Sequence, residues 1–166
     1  MSSLAGTFLV ARSPLRDPFF GQSVVLLLEH GSEGAFGLVL NRPTKAGELP
    51  FPVYVGGPCQ PQGLMMLHGH PEWAAKAGEG PGEVCPGIFV GDADSFNRLG
   101  EMPDDAQWKF RVFTGYAGWG PQQLESEMSQ GAWIVLPADA ERLFGTPAEE
   151  LWQRLAPPTI REPSMN

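Results

Sequence analysis

A chain of 166 residues, 42% hydrophobic with 10 Phe and 5 Trp, has the length of one domain and can bury about 70% of the surface its unfolded state exposes. Its net charge of −8 works against phosphate-backbone binding, which needs clustered Lys and Arg. The 11 basic residues are dispersed, so direct nucleic-acid binding is disfavoured and Arg12, Arg16, Arg42 and Lys45 read as solvated surface.

In chain order, Thr7 to Ala11 reads as a first strand. Its apolar run is broken by Arg12 before it reaches the core of an export signal, and the longest aliphatic run, Val24 to Leu28, is far short of the about 20 residues of a membrane span. A soluble, cytoplasmic protein with no membrane partner is therefore expected. Ser23 to Glu29 and Ala35 to Asn41 form a predicted hairpin across the glycine-containing linker His30 to Gly34. Shorter strands are predicted at Pro52 to Val55, Gly63 to Leu67, Pro86 to Val90, Trp108 to Thr114 and Ala132 to Leu136. In the fourth of these, Phe110 and Val112 share one face, and Lys109, Arg111 and Phe113 the other.

Three helices are marked by their ends. Asp92 or Asp94 can cap a turn over Ser95 to Leu99, and Pro137 to Phe144 can form a second helix stopped by Gly145. Thr146, Pro147 and Glu149 have capping-box spacing for a third, with Leu151, Trp152 and Leu155 as its buried face. Residues 1–156 are expected to make a single domain, and 157–166, with three prolines, a frayed tail.

The stretch Gly115-Tyr116-Ala117-Gly118-Trp119-Gly120-Pro121 reads as a sharp corner, with Gly118 and Gly120 at positive φ around Trp119 and a helix opening at Pro121. Amides at Gln122 and Gln123 would then point out of a helix N-terminus, a generic anion site, although Glu125 and Glu127 follow in the same helix. A structural corner is favoured over a ligand cradle.

The segments "GTFLVARSPLRDPFFGQSVVLLLEHGSEGAFGLVLNRPT", "VYVGGPCQPQGLMMLHG" and "GYAGWGPQQLESEM", followed by Trp133, Pro137-Ala138-Asp139 and Phe144, resemble the bacterial YqgE/AlgH family from about Gly6 to Trp152. The resemblance implies an α/β (α+β) fold: a mainly antiparallel, bifurcated sheet folded into a pseudo-barrel with about three short helices. Members are often labelled transcriptional regulators, yet the resemblance implies no particular reaction. The Gly- and Pro-rich stretch Gly78 to Gly87 departs from the family pattern.

Candidate site residues follow from chemistry. His30 reads first as a turn-capping histidine and second as a general base, with Asp17 or Glu29 orienting it. Asn41 and Arg42 could hold a carboxylate or phosphate, but pairing in the hairpin places them about 20 Å from His30. Gly56 and Gly57 precede Cys59 in a turn that could line a shallow pocket, and Tyr116 and Trp119 could form an aromatic contact surface. His68 and His70 with Cys59 are a weak zinc set, and His68 a second candidate base. Cys59 and Cys85 read as thiols of a reducing compartment, with a disulfide between them left open. No cofactor is expected. Binding or regulation, through a protein or small-molecule partner, is preferred; a small-molecule hydrolase using His30 or His68 is the alternative, and a DNA-linked regulator the third reading.

Overall fold

The computed structural model describes residues 3–12, 22–43, 53–57, 59–69, 83–91 and 110–156, with 59–63 described by backbone alone. Among these residues nine strands form one sheet: β1 (Thr7–Ala11), β2 (Val24–Gly31), β3 (Gly34–Val39), β4 (Val53–Val55), β5 (Cys59–His68), β6 (Glu83–Cys85), β7 (Ile88–Val90), β8 (Phe110–Trp119) and β9 (Trp133–Pro137). Three helices are described, α1 (Gln123–Ser129), α2 (Ala140–Gly145) and α3 (Ala148–Leu155). The strand order is β6-β7-β5-β8-β3-β2-β1-β9, with β4 also beside β8. All pairs are antiparallel except β4 with β8.

The sheet forks along β8. The first half of β8 lies between β5 and β4, whereas Ala117, Gly118 and Trp119 pair with Gly37, Phe36 and Ala35 of β3. Past Gly37, β3 separates from β8, and its Val39 N–H donates instead to the carbonyl of Gly56, at 2.7 Å. The end of β4 is thus wedged into the fork. No side chain fits there: a Cβ on Gly56 would lie 2.5 Å from the Gly115 carbonyl oxygen, and one on Gly57 2.0 Å from the Tyr116 carbonyl carbon. Gly115 supplies the bend, at φ 76, within the region where the β5 pairing shifts register.

The far ends of the sheet approach each other, since a Cβ on Gly6, just before β1, would sit 2.8 Å from the Val84 carbonyl oxygen of β6. The result is a curled, half-open barrel. Phe8, Val10, Val24, Leu26, Leu38, Leu67, Ile88 and Phe113 share one buried cluster, which α2 and α3 cover with Leu143, Leu151, Trp152 and Leu155. Leu9, Ala11, Val25, Leu27 and Val39 form the opposite cluster with Ala117, Trp119, Trp133 and Leu124 of α1. Burial on both faces explains why Phe8 to Ala11 and Val24 to Leu27 are unbroken apolar runs rather than alternating ones. The indole N–H of Trp152 donates to the Ala11 carbonyl at 2.8 Å and fastens α3 to the end of β1.

Several predicted boundaries move. The hairpin linker is two residues, Ser32 and Glu33, because Gly31 and Gly34 pair across it. Pro86 and Gly87 are the turn between β6 and β7 rather than the start of a strand. β8 does not end at Thr114: Gly115 bends it, and neither Gly118 nor Gly120 has positive φ. The helix expected from Pro121 begins at Gln123, after Gln122 at φ 62. α2 starts after Asp139, whose carboxylate accepts from the Arg142 N–H, and Pro137 ends β9. α3 starts at Ala148 with Pro147 at the cap position and without a side-chain cap bond, so the Thr146–Glu149 capping box does not form. The predicted Ser95 to Leu99 turn with Asp92 or Asp94, Trp108 and Lys109, and the tail 157–166 lie outside the described residues.

Candidate functional site

The candidate site lies where the β2–β3 hairpin meets the end of β8 and the start of α1. A register shift in β2 between Leu27 and Glu29 sets its chemistry. Regular alternation from Leu27 would turn His30 toward the α2–α3 face; the shift pairs His30 with Ala35 and Glu29 with Phe36 instead, so His30 faces α1. Its side chain is only 3% exposed.

Both imidazole nitrogens are engaged. The Leu4 backbone N–H donates to Nδ1 at 2.9 Å, and Nε2 lies 2.9 Å from Glu125 Oε2 in the first turn of α1. A backbone amide can only donate, so Nδ1 is the acceptor and Nε2 carries the proton that goes to Glu125. The His30 bond, with help from a backbone N–H, holds the Glu125 carboxyl below the usual carboxylate range. His30 is therefore a cross-link between the segment before β1, the hairpin and α1, not a turn cap. Glu125 fills the orienting position assigned to Asp17 or Glu29; Glu29 points to the other face, and Asp17 lies outside the described residues.

Glu127, two residues on in the same helix, accepts from both the Trp119 and Trp133 indole N–H groups, at 3.0 and 2.8 Å. The two rings meet edge to face at 6.2 Å. Trp119 is 7% exposed, so it belongs to the core beneath α1 and not to an aromatic surface shared with Tyr116. Three residues apart on a strand, the two aromatics face opposite ways: Tyr116 packs on the other side of the sheet, its ring 5.0 Å from that of Phe36.

The remaining candidates are dispersed. Asn41 accepts from the Val24 N–H and donates to the Gln22 carbonyl, and Arg42 donates to the Ser23 hydroxyl, all at the hairpin end away from His30. Gln123 accepts from the Gly120 N–H and reaches Glu127, folding its amide back over the helix start. Gly56 and Gly57 are buried against β8. His68, 1% exposed, remains in β5 and stacks on Phe89 with centroids 5.5 Å apart. His70 lies outside the described residues, and of Cys59 only the backbone, opposite Tyr116, is described. Cys85 is a free thiol whose pKa is pushed up by burial and by the nearby Asp139 and Glu83 carboxylates, the reverse of what a nucleophile needs.

At the hairpin tip a shallow depression of about 400 Å³ is lined by Glu29, His30, Glu33, Phe36 and Trp119, together with the turn residues between them. Glu29 and Glu33 are exposed, so the opening is acidic and the wall aromatic. Sequence reasoning named Glu29, His30 and Trp119 here, but not Glu33 or Phe36, and it did not join Glu125 or Glu127 to them. The signal was the acidic pair in "QLESE", which the sequence reading weighed only as repelling an anion.

The DUF179, AlgH-like family model matches residues 8–159. A UPF0301 protein of Myxococcus xanthus is 38% identical over 167 residues, covering 92% of this chain and 88% of that protein. One of Streptomyces avermitilis is 37% identical over 170 residues, covering 93% and 86%. The solution structure of the AlgH protein from Pseudomonas aeruginosa aligns with a TM-score of 0.69 at 31% identity over 92% of this chain and 87% of that one. A crystal structure of a Corynebacterium diphtheriae protein aligns with a TM-score of 0.74 over 90% and 84%; at 22% identity this is a likeness of fold alone. No described helix is long and apolar enough to cross a membrane.

Proposed function

The chain belongs to the AlgH-like family, and on that premise we propose that it acts by binding rather than by turnover, through the acidic rim of the β2–β3 hairpin, to a partner that presents an amine or guanidinium group. The observation that carries this reading is the depression itself. Its volume is within the range of small-ligand sites, and it combines two exposed carboxylates, Glu29 and Glu33, with the partly exposed ring of Phe36. Carboxylates supply charge-assisted hydrogen bonds and an aromatic face attracts a cation, so one cationic group satisfies both. The net charge of −8 favours the same sign of partner through long-range attraction.

Binding is preferred to hydrolysis because of what His30 does. A general base needs a lone pair that can reach the substrate, and the Nδ1 lone pair is held by the Leu4 amide inside the protein. The test is calorimetric titration with a hexa-arginine peptide at low salt. Saturable binding that weakens at least tenfold in the Glu29→Gln/Glu33→Gln double variant supports the reading. Binding unaffected by the double substitution, or no binding at all, overturns it.

A further inference from the structure

The bonding of His30 has a consequence independent of any ligand. In the neutral ring Nδ1 accepts from Leu4 and Nε2 donates to Glu125. A second proton can enter only at Nδ1, where it meets the Leu4 N–H head on, donor against donor. The bond to Glu125 responds in the opposite sense, since an imidazolium donates more strongly to a carboxylate than a neutral ring does. Protonation thus breaks the contact on one side of the ring and tightens it on the other.

We propose that His30 is an acid-sensitive latch that releases the segment 3–6 from the hairpin when it is protonated, while α1 stays attached. Among the described residues the segment's other polar bonds are the Gly6 N–H to the Leu27 carbonyl at 2.7 Å, the Thr7 hydroxyl to the Leu4 carbonyl at 2.7 Å and, within the segment, the Ala5 N–H to the Ser3 hydroxyl at 3.1 Å. Leu4 packs against the α1-side cluster, so release uncovers apolar surface there.

The charged groups near the ring come from α1 and from the hairpin. From α1 come Glu125, in direct contact, and Glu127, which is committed to the two indoles. Glu33 lies in the hairpin turn and Glu29 precedes His30 on the opposite face. Segment 3–6, Ser-Leu-Ala-Gly, brings no titratable side chain, and neither do the β3 and β8 neighbours Ala35 and Trp119.

The experiment is NMR of the intact chain, following the His30 ring nitrogens and the exchange protection of the Leu4 and Ala5 amides between pH 8 and pH 4.5. At pH 8 the ring nitrogens should report the tautomer with the proton on Nε2. As His30 titrates, the protection factor at Leu4 should fall at least tenfold, while amides within α1 keep theirs. Glu125→Gln should move that fall to lower pH, because the imidazolium loses its counter-charge, and His30→Gln, which cannot titrate, should abolish it. A ring protonated on Nδ1 at pH 8 overturns the latch. So does a Leu4 protection factor that stays constant while His30 titrates, and so does a ring that remains neutral to pH 4.5.

Discussion

Glu127 shows how one carboxylate on a short helix organises a core. It accepts two indole N–H bonds through a single oxygen, and bonds to a charged acceptor contribute about 1.5–3 kcal/mol each. Glu127→Ala should therefore lower unfolding stability by roughly 2–4 kcal/mol, and Glu127→Gln, which keeps an acceptor, by about half as much. Urea titrations read by tryptophan fluorescence measure both. Asp139 gives a pH dependence. Burial works against its ionisation, but the Arg142 backbone N–H and guanidinium outweigh it and hold the carboxyl below the usual range. A depressed folded pKa means stability that is present above the unfolded value, near 4, and lost as pH falls through the folded one. The stability gap between the native chain and Asp139→Asn should be open at pH 7 and close below about pH 4; a gap that is constant from pH 7 to 3 contradicts that assignment. At this scale the residue types of the site were legible, and their partners were not. His30 and Glu125 are 95 positions apart in the chain, and only the register shift beside Leu28 turns the imidazole toward α1.

The elements were legible where local pattern and tertiary need agree. β1 was located to its ends, since a run bounded by Gly6 and Arg12 has one length. β8 ran past its expected end because a glycine was read as a stop. Gly115, at positive φ, bends the strand so that it leaves β4 and joins β3. The same fork makes a sharp prediction about glycines. At Gly57 a Cβ would overlap the Tyr116 backbone at 2.0 Å, whereas at Gly131 it meets nothing within 4 Å and only the φ of 75 opposes it. Gly131→Ala should cost about 1–2 kcal/mol. Gly57→Ala should cost well above 3 kcal/mol or prevent folding, because backbone rather than a flexible side chain must move. Thermal unfolding of the two variants side by side decides it, and equal losses would show that β4 is not wedged as described. The helix starts were misplaced for a related reason: Pro121 and Thr146 carry strong local signals, but the chain leaving β8 and α2 sets the entry angles.

For the whole molecule, the curl of the sheet brings the start of β1 against β6, so the seam at Gly6 and Val84 joins strands far apart in the sheet order. Gly6→Ala adds a Cβ 2.8 Å from a carbonyl oxygen at a residue with φ 82 and should cost about 2 kcal/mol. Its signature should be non-local: faster amide exchange in β6 and β7 as well as at the start of β1. The same curvature fills the barrel interior with side chains, and the hairpin tip at the rim carries the acidic, aromatic depression to which binding is proposed. The most direct test of that account is an amide-shift titration of the intact chain with hexa-arginine at neutral pH. The account predicts saturable shifts concentrated at Glu29 to Phe36 and Trp119; shifts spread evenly over the acidic surface, or centred on another edge of the sheet, would contradict it.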